Sequence, residues 1–392
     1  IVIAPHGRGG MDYKWGAEPD ILAAVAAAKR LFPVDEARVF CAGHSMGGSG
    51  AWHLATRYPD TFAAIVPCCG NTDVRVWAEN WNWRTPADSP QAAVRDFLRD
   101  DTGAVPYAEN LGNVRVIAFQ GEADPIVDRR HSERMVEALQ RAGHPAFRFH
   151  LLPFVTHSFD LDLDRALDGC ARIEKPERVV YRTAWLKYDG AAWVHIRGLE
   201  RRLRFARVEA VARDGAFAVK TENLTALLFE RHKSPLGPDV RRVVIDGREA
   251  PFEPAKPLYF AKNEAGDWLQ IPPPAGGSFP PAKDRRIEGP FEHAFMSRFL
   301  LVRPAAMTAT AKAARQACDE FAELWKQRFG KLPRVKDDRE VGNADIAESN
   351  LVLYGAPADN LLTARVVGRL PVTFDREGRI RLGSETYSGA NL

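Results

Sequence analysis

GHSMGG, at residues 43–48, has the form G-x-S-x-G, with a serine at its centre. An apolar strand, Arg38–Ala42, precedes the motif, and a helical stretch, Gly47–Tyr58, follows it. In this strand–turn–helix setting the serine lies on a sharp, strained turn, and a side chain at either glycine would clash with the strand or the helix. The motif therefore predicts that Ser45 is a nucleophile whose hydroxyl is raised above the edge of a sheet.

Around the motif, short apolar runs alternate with amphipathic stretches from Ile1 to about Asp168. Such alternation is typical of a parallel sheet with helices on both faces, so we expect a doubly wound, mostly parallel α/β sheet. The predicted strands are Ile1–Pro5, Arg38–Ala42, Phe62–Val66, Val114–Phe119 and Phe147–Leu152, and the predicted helices are Pro19–Leu31, Gly47–Tyr58, Arg129–Ala142 and Phe159–Leu167.

The rest of the chain predicts two further modules. Short β-type runs with Asp-Gly turns fill residues 171–274 and favour a small antiparallel sandwich. A Pro-Pro-Pro run at residues 272–274, followed by Gly276 and Gly277, indicates a linker. Beyond it, residues 275–392 return to an α/β pattern, so we expect modules at 1–170, 171–274 and 275–392.

A serine nucleophile needs a base and an acid, and in this type of sheet both follow later strands, in the chain order Ser, Asp or Glu, His. Asp124 lies just after the fourth predicted strand, and His157 lies just after the fifth. We therefore predict that His157 accepts the proton of Ser45 and that Asp124 orients the imidazole. The backbone N–H of Met46 is the predicted oxyanion donor.

Other acids and histidines fit these roles less well by position. Asp128 follows the same strand as Asp124 but lies where it would cap the next helix, and Glu122 is a more remote alternative. The remaining histidines are interpreted as surface groups at His131 and His144, a strand position at His150, packing beside the serine at His44 and core packing at His53.

The stretch GHSMGGSGAWHLATRYPDTFAAIVPCCG, at residues 43–70, closely resembles bacterial α/β-hydrolases of the prolyl-oligopeptidase-like and esterase group. That group includes proteins similar to polyhydroxybutyrate depolymerases and feruloyl esterases. GEADPIVD at residues 121–128 resembles the acid segment of the group, and THSF at residues 156–159 resembles its histidine loop. The resemblance covers about residues 1–168 and implies an α/β-hydrolase fold, a serine mechanism and an extracellular or periplasmic location. The later regions resemble C-terminal modules attached to such hydrolases.

The first residues resemble an internal segment of that group. APHGRGG, at residues 4–10, is similar to a segment that follows the loop donating the second oxyanion N–H, so His6-Gly7 is not interpreted as that loop. Because the chain starts at Ile1 within an apolar run, we expect a piece of a longer protein, with the second donor upstream. Loss of one such donor typically slows catalysis about 10²- to 10³-fold.

Four side chains are predicted to contact substrate. His44 is the variable residue of the motif, and a tryptophan cluster lies between two predicted strands, where hydrolases of this fold often insert a cap. Aromatic rings there could stack on a sugar or phenolic ring, or they could cover the core under a long loop. The cluster consists of Trp77, Trp81 and Trp83.

The composition argues against several other classes of protein. The net charge is only +3, with 27% charged and 45% hydrophobic residues, so no nucleic-acid surface or membrane span is expected. No cofactor motif and no metal-binding spacing occurs, and five cysteines in 392 residues do not indicate a disulfide scaffold. The oligomeric state and the acyl and alcohol groups stay open.

Three functions remain in competition. The first is an esterase that cleaves carboxylic esters of a small molecule or polymer. The second is a peptidase of the prolyl-oligopeptidase type, for which the downstream modules are an unusual addition. The third is a binding or surface protein that uses the hydrolase fold as a scaffold, which a complete set of Ser45, Asp124 and His157 argues against.

Overall fold

The structure, a computed structural model, describes residues 1–80, 86, 88–274, 288–289, 291–375 and 379–387. The chain forms two compact units. The first contains Ile1–Lys14 and Ile21–Pro274, and the second contains Gly289–Leu392 with the short segment Trp15–Asp20. Of the predicted linker, residues 272–274 are described, and Gly276 and Gly277 lie outside the described residues.

The first unit begins with a four-stranded parallel sheet in the order β1-β2-β3-β4. This arrangement confirms the parallel α/β sheet expected from the alternating pattern. The strands are β1 (Phe40–His44), β2 (Ala64–Cys68), β3 (Arg115–Gly121) and β4 (Phe147–Leu152), and the helices are α1 (Ala17–Leu31), α2 (Met46–Arg57), α3 (Val74–Trp77), α4 (Pro90–Thr102), α5 (Arg130–Arg141) and α6 (Leu163–Leu167).

Burial of the strands explains their apolar sequences. Every residue of β2 is buried, as expected for a strand covered on both faces of a parallel sheet. On one face, Ala64, Val66 and Cys68 pack with Ile117 against the segment that carries Phe159 and α6. Since the carboxyl ends of parallel strands share one edge, the loops after β1, β2, β3 and β4 meet there.

Two predicted elements are wrong. Ile1–Pro5 forms no strand: it pairs with no strand of the described residues, and the side chain of Val2 is 94% exposed. An apolar run becomes a strand only where a neighbouring backbone can accept its hydrogen bonds. The predicted helix Phe159–Leu167 begins only at Leu163, where Asp162 caps it by accepting a hydrogen bond from the Arg165 N–H.

A β-sandwich completes the first unit. It has two five-stranded sheets, in the orders β12-β11-β9-β8-β5 and β14-β13-β10-β7-β6, which are antiparallel except where β9 and β11 pair. Alternate residues of both sheets fill one core, with Trp193 stacked on Phe217 at its centre. The strands are β5 (Arg178–Thr183), β6 (Gly190–Ala191), β7 (Val194–Leu199), β8 (Ala206–Arg213), β9 (Ala216–Glu222), β10 (Leu224–Phe229), β11 (Arg242–Ile245), β12 (Arg248–Glu249), β13 (Leu258–Lys262) and β14 (Trp268–Gln270).

The sandwich is joined to the parallel sheet through the C-terminal end of α2. The buried Asn110 side chain donates to the carbonyls of Thr56 and Arg182, at 2.7 and 2.9 Å, and its Oδ1 accepts from the Arg182 N–H at 2.6 Å. The Tyr181 hydroxyl donates to the carbonyl of Arg57 at 2.8 Å. These hydrogen bonds satisfy buried polar groups of both parts, which belong to one compact unit.

The second unit has its own parallel sheet, in the order β16-β15-β17. The long helix of this unit is capped by Thr308 at its start and by Gly330, at φ 78°, at its end. The elements are β15 (Phe299–Arg303), α7 (Ala309–Phe329), β16 (Val335–Asp337), α8 (Asn343–Glu348), β17 (Asn350–Leu353), α9 (Leu361–Val366), β18 (Val372–Phe374), β19 (Ile380–Leu382) and β20 (Glu385–Tyr387). Among the described residues of the whole chain, no helix is long and apolar enough to cross a membrane.

Replacing Asn110 tests how much its buried hydrogen bonds stabilise the first unit. We expect Asn110→Ala to lower the free energy of unfolding by about 3 kcal/mol, because the Arg182 N–H and the Thr56 carbonyl lose a buried partner. Asn113→Ala is the matched control, since the Asn113 side chain makes only an exposed hydrogen bond to the Arg178 carbonyl. Urea denaturation of both variants measures the difference, and equal losses would contradict the expected role of Asn110.

Candidate active site

Ser45 lies on a strained turn between β1 and α2. Its backbone has φ 56° and ψ −116°, a conformation that costs a side-chain-bearing residue about 1–3 kcal/mol. A hydrogen bond from its N–H to the Cys68 carbonyl, at 2.8 Å, ties the turn to the end of β2. Met46 begins α2, so no carbonyl of the helix accepts from its N–H, which is available at the predicted oxyanion position.

Glycines around the turn allow backbone segments to approach each other closely. A Cβ atom on Gly43 would lie 2.2 Å from the Gly47 carbonyl oxygen, and one on Gly48 would lie 2.4 Å from the Cys68 carbonyl oxygen. A Cβ atom on Gly47 would meet nothing within 4 Å. The expectation that both outer glycines of the motif avoid a clash is therefore wrong for Gly47, and the second tight position is Gly48.

The loops after β3 and β4 bring Asp124 and His157 together. His157 Nδ1 lies 2.8 Å from Asp124 Oδ2, and the Asp124 side chain is fully buried while that of His157 is 15% exposed. Asp124 also accepts hydrogen bonds from the backbone N–H groups of Ile126 and Val127, at 2.8 and 3.0 Å. Burial raises the pKa of Asp124, but the hydrogen bonds from His157 and these N–H groups outweigh it, so the pKa lies below its usual value.

Gln120 is a site residue that sequence reasoning missed. It is fully buried at the end of β3, and its side-chain amide donates to Asp124 Oδ2 at 3.2 Å and to the Val127 carbonyl at 3.2 Å. Its Oε1 accepts from the Ser132 hydroxyl at 2.9 Å. A polar residue inside an otherwise apolar strand, four positions before the acid, was the available signal. Gln120 fixes the carboxylate that faces His157.

Two more side chains border His157. His44 Nε2 lies 2.5 Å from the His157 carbonyl oxygen, and the two rings are 4.7 Å apart. Cys69 follows β2 with φ 48°, is completely buried and shares a hydrogen bond with Asp124. Burial raises the pKa of the Cys69 thiol to about 11. Cys69 was not predicted, and its place beside the acid follows from the pairing of β2 with β3.

The structure separates the alternative acids from the histidine. Asp128 accepts a hydrogen bond from the Arg130 N–H at 2.9 Å, next to the start of α5, and forms an ion pair with the Arg130 side chain. Glu122 forms an exposed ion pair with Arg129 at 3.8 Å. Neither carboxylate has a hydrogen bond to His157, whose described carboxylate partner is Asp124.

The interpretation of two histidines as surface groups is wrong. His131 is 1% exposed and accepts at Nδ1 from the backbone N–H groups of Thr72 and Asp73, and His144 is 8% exposed with Nε2 beside the carbonyls of Leu111 and Val114. Both rings thus form hydrogen bonds to backbone groups of segments distant in sequence. Of the other two, His150 stacks on Phe119 within the sheet, and His53 is buried on α2.

The predicted aromatic cluster is described only in part. Trp77 ends α3, is 45% exposed and packs against the ring of His131 at 6.3 Å. Trp81 and Trp83 lie outside the described residues. Another exposed aromatic ring belongs to Phe154, which is 92% exposed, has φ 61° and lies three positions before His157.

Comparison with known protein families indicates the same type of domain as the motifs in the sequence. Residues 1–173 match the model of the prolyl oligopeptidase family, which confirms the resemblance seen in the motifs and the α/β-hydrolase fold of the first sheet. An uncharacterized secreted protein of Arthroderma benhamiae is 31% identical over 116 residues, which are 30% of this chain and 12% of that protein.

Several solved structures are similar to this chain over part of its length. A thermostable esterase is 24% identical over 34% of this chain and 28% of its own, with a TM-score of 0.25. A puromycin-hydrolyzing peptidase of Mycobacterium tuberculosis is 24% identical over 37% of this chain and 23% of its own, with a TM-score of 0.30. Dipeptidyl peptidase 4 of Porphyromonas gingivalis is 26% identical over 38% and 20%, with a TM-score of 0.30. The chain thus spans between 12% and 28% of these relatives.

Alanine at Gly43 and at Gly47 should affect stability in opposite ways. Gly43→Ala forces the new methyl group against the Gly47 carbonyl, so we expect the free energy of unfolding to fall by about 3 kcal/mol. Gly47→Ala adds a methyl group in open space within α2 and should change stability by less than about 1 kcal/mol, towards greater stability. Thermal unfolding compares the pair, and a larger loss at Gly47 would contradict the geometry.

His131 should make stability depend on acidity. Burial lowers the pKa of His131 from 6.5 to about 4, so the folded chain keeps the ring neutral while the unfolded chain protonates it near pH 6.5. Its stabilising contribution is complete above pH 6.5 and is lost as the pH falls to about 4, by about 3 kcal/mol in total. His131→Asn keeps an acceptor near Nδ1 but does not titrate, so its unfolding free energy should fall less between pH 6.5 and 4. Equal pH profiles in urea denaturation would rule out this contribution.

Proposed function

We propose that this chain is a serine hydrolase that cleaves carboxylic esters through an acyl-enzyme on Ser45. The observation that carries the proposal is the hydrogen bond between His157 Nδ1 and Asp124 Oδ2, at 2.8 Å, at the same sheet edge as the strained turn at Ser45. With Nδ1 bound to the carboxylate, Nε2 of His157 is the ring nitrogen left to accept a proton. The match to the prolyl oligopeptidase family over residues 1–173 supports the same chemistry.

The reaction has two steps. In the first, Ser45 Oγ attacks the ester carbonyl carbon while its proton passes to His157 Nε2, and the oxyanion forms near the Met46 N–H. The imidazolium, stabilised by the Asp124 carboxylate, then gives the proton to the departing alkoxide, and the acyl group stays on Ser45. In the second, a water molecule loses a proton to His157 and attacks the acyl carbon, and the imidazolium then returns the proton to Ser45 Oγ as the bond to the acyl group breaks and the acid leaves.

The buried acid suits this role. Asp124 has hydrogen bonds from His157 and from two backbone N–H groups, and these hold its pKa below the usual value despite burial, while Gln120 donates to the same carboxylate. The carboxylate therefore stays ionised at neutral pH and favours the tautomer of His157 that carries its proton on Nδ1. On the substrate side, His44 and Trp77 are the described members of the proposed contact set.

A second candidate activity is peptide hydrolysis of the prolyl-oligopeptidase type. The specific observation in its favour is the family matched by residues 1–173. Ser45, Asp124 and His157 would have the same roles on a peptide. The difference is that the amine is a poorer leaving group than an alcohol and has to be protonated by His157. We place the ester first because an alcohol leaves more readily than an amine from the same intermediate, and because sandwich and α/β modules downstream are unusual in such peptidases.

The test combines turnover with covalent labelling. We expect hydrolysis of p-nitrophenyl acetate and labelling by a fluorophosphonate probe in the wild-type chain, and loss of both by at least about 10³-fold in Ser45→Ala. Ser158→Ala is the matched control, because Ser158 is an exposed serine next to His157. Asp124→Asn should slow turnover by about 10⁴-fold while leaving the fold intact.

Two results would change the conclusion. Equal labelling of wild type and Ser45→Ala would remove Ser45 as the nucleophile. Faster cleavage of a proline-containing p-nitroanilide peptide than of any p-nitrophenyl ester, compared as kcat/KM, would replace the esterase by the peptidase.

A further inference from the structure

Three metal-binding side chains converge at the sheet edge that carries the candidate active site. His44 ends β1, Cys69 follows β2 and His157 follows β4, so the three come from separate loops. One potential ligand atom from each of them lies within 4.8 Å of the other two. Sequence spacing hides this cluster, because 24 positions separate the first pair and 87 the second.

The ligand types select the kind of cation. Two imidazole nitrogens and a thiolate sulfur suit Zn²⁺, whereas Mg²⁺ and Ca²⁺ prefer oxygen ligands. Zinc bonds of about 2.0–2.3 Å place tetrahedral ligands roughly 3.5 Å apart, so atoms that lie within 4.8 Å of one another need to close by at most about 1.3 Å. A cation can reach the cluster from solvent past the exposed ring of His44 and the half-buried ring of His157, whereas Cys69 is buried.

Hydrogen bonds within the protein leave one ring nitrogen of His157 and one of His44 to ligate a metal ion. His157 Nδ1 is bound to Asp124 Oδ2, which leaves Nε2 to ligate, and a metal-bound histidine commonly has a carboxylate on its other nitrogen. His44 Nε2 lies beside the His157 carbonyl oxygen, which leaves Nδ1. The negative charge of the buried Asp124 also favours a cation nearby.

We propose that Zn²⁺ binds His44, Cys69 and His157 and thereby blocks hydrolysis reversibly. The Cys69 thiol releases its proton to solvent on binding, and the cation offsets the cost of the buried thiolate. Inhibition rests on the proposed function, because Nε2 of His157 cannot accept the Ser45 proton while it holds a metal. Zinc binding itself does not depend on that function.

The experiment measures zinc binding and inhibition separately. Equilibrium dialysis of the wild-type chain with Zn²⁺ should give one bound ion, and Cys69→Ser and His44→Gln should each weaken binding by at least about tenfold. Cys41→Ala is the matched control, since Cys41 is a free cysteine of β1 outside the cluster, and its affinity should be unchanged. In parallel, Zn²⁺ should inhibit p-nitrophenyl acetate turnover of the wild type, EDTA should restore it, and Mg²⁺ should have no effect.

A further readout guards against misfolded variants. Co²⁺ added to the wild-type chain should give a thiolate-to-metal absorption band, which Zn²⁺ abolishes by competition. Absence of the band, or zinc affinity that is equal in wild type, Cys69→Ser and His44→Gln, overturns the proposed site. Zinc binding that depends on Cys69 in a chain without esterase or peptidase turnover would instead sustain the metal site and refute the proposed function.

Discussion

Close backbone contact between the first turn of α2 and the loop after β2 is the constraint on which the candidate site depends. A Cβ atom on Gly48 would lie 2.4 Å from the Cys68 carbonyl oxygen, and one on Gly70 would lie 2.3 Å from the Gly48 carbonyl carbon. Because both residues lack a side chain, the helix begins directly against β2, and Ser45 can donate its N–H to Cys68 at 2.8 Å. The strained conformation of Ser45 persists because these contacts hold the turn from both sides.

A second close contact aligns the acid with the base. A Cβ atom on Gly121 would lie 2.1 Å from the Thr156 carbonyl oxygen, so the end of β3 and the loop before His157 can touch. The Ala123 N–H donates to the Val155 carbonyl at 3.0 Å across the same contact. The positions of Asp124 and His157 are therefore set by backbone contacts of adjacent parallel strands, and Gln120 below them fixes the carboxylate. The hydrogen bonds of Asp124 with His157 and Gln120 orient the imidazole of His157 without any contribution from a substrate.

Much of this arrangement could be predicted because it depends on local patterns. The motif at residues 43–48 and the strand–helix alternation specified the parallel sheet, and the rule that polar loops follow the strands selected Asp124 and His157, whose catalytic roles remain predictions. The strand Ile1–Pro5 could not be excluded, because pairing depends on a partner that an apolar pattern does not reveal. Burial of His131 and the contact of Cys69 with Asp124 were out of reach, since each depends on residues distant in sequence. Gln120 lies only four positions before Asp124, so its polar side chain was a signal that the sequence did offer.

The sandwich contacts the far end of α2, the helix that begins at the serine turn. This helix runs from Met46 to Arg57, about 18 Å, with the serine turn at its start and the sandwich bound at its end. Asn110 and Tyr181 hold the carbonyls of Thr56 and Arg57, which a helix end leaves without partners of its own. Of these two partners only Tyr181 belongs to the sandwich, while Asn110 precedes β3 and reaches the sandwich through its hydrogen bonds with Arg182. The hydrogen bonds of Tyr181 and Arg182 therefore connect the sandwich to the end of the helix whose first turn carries Ser45.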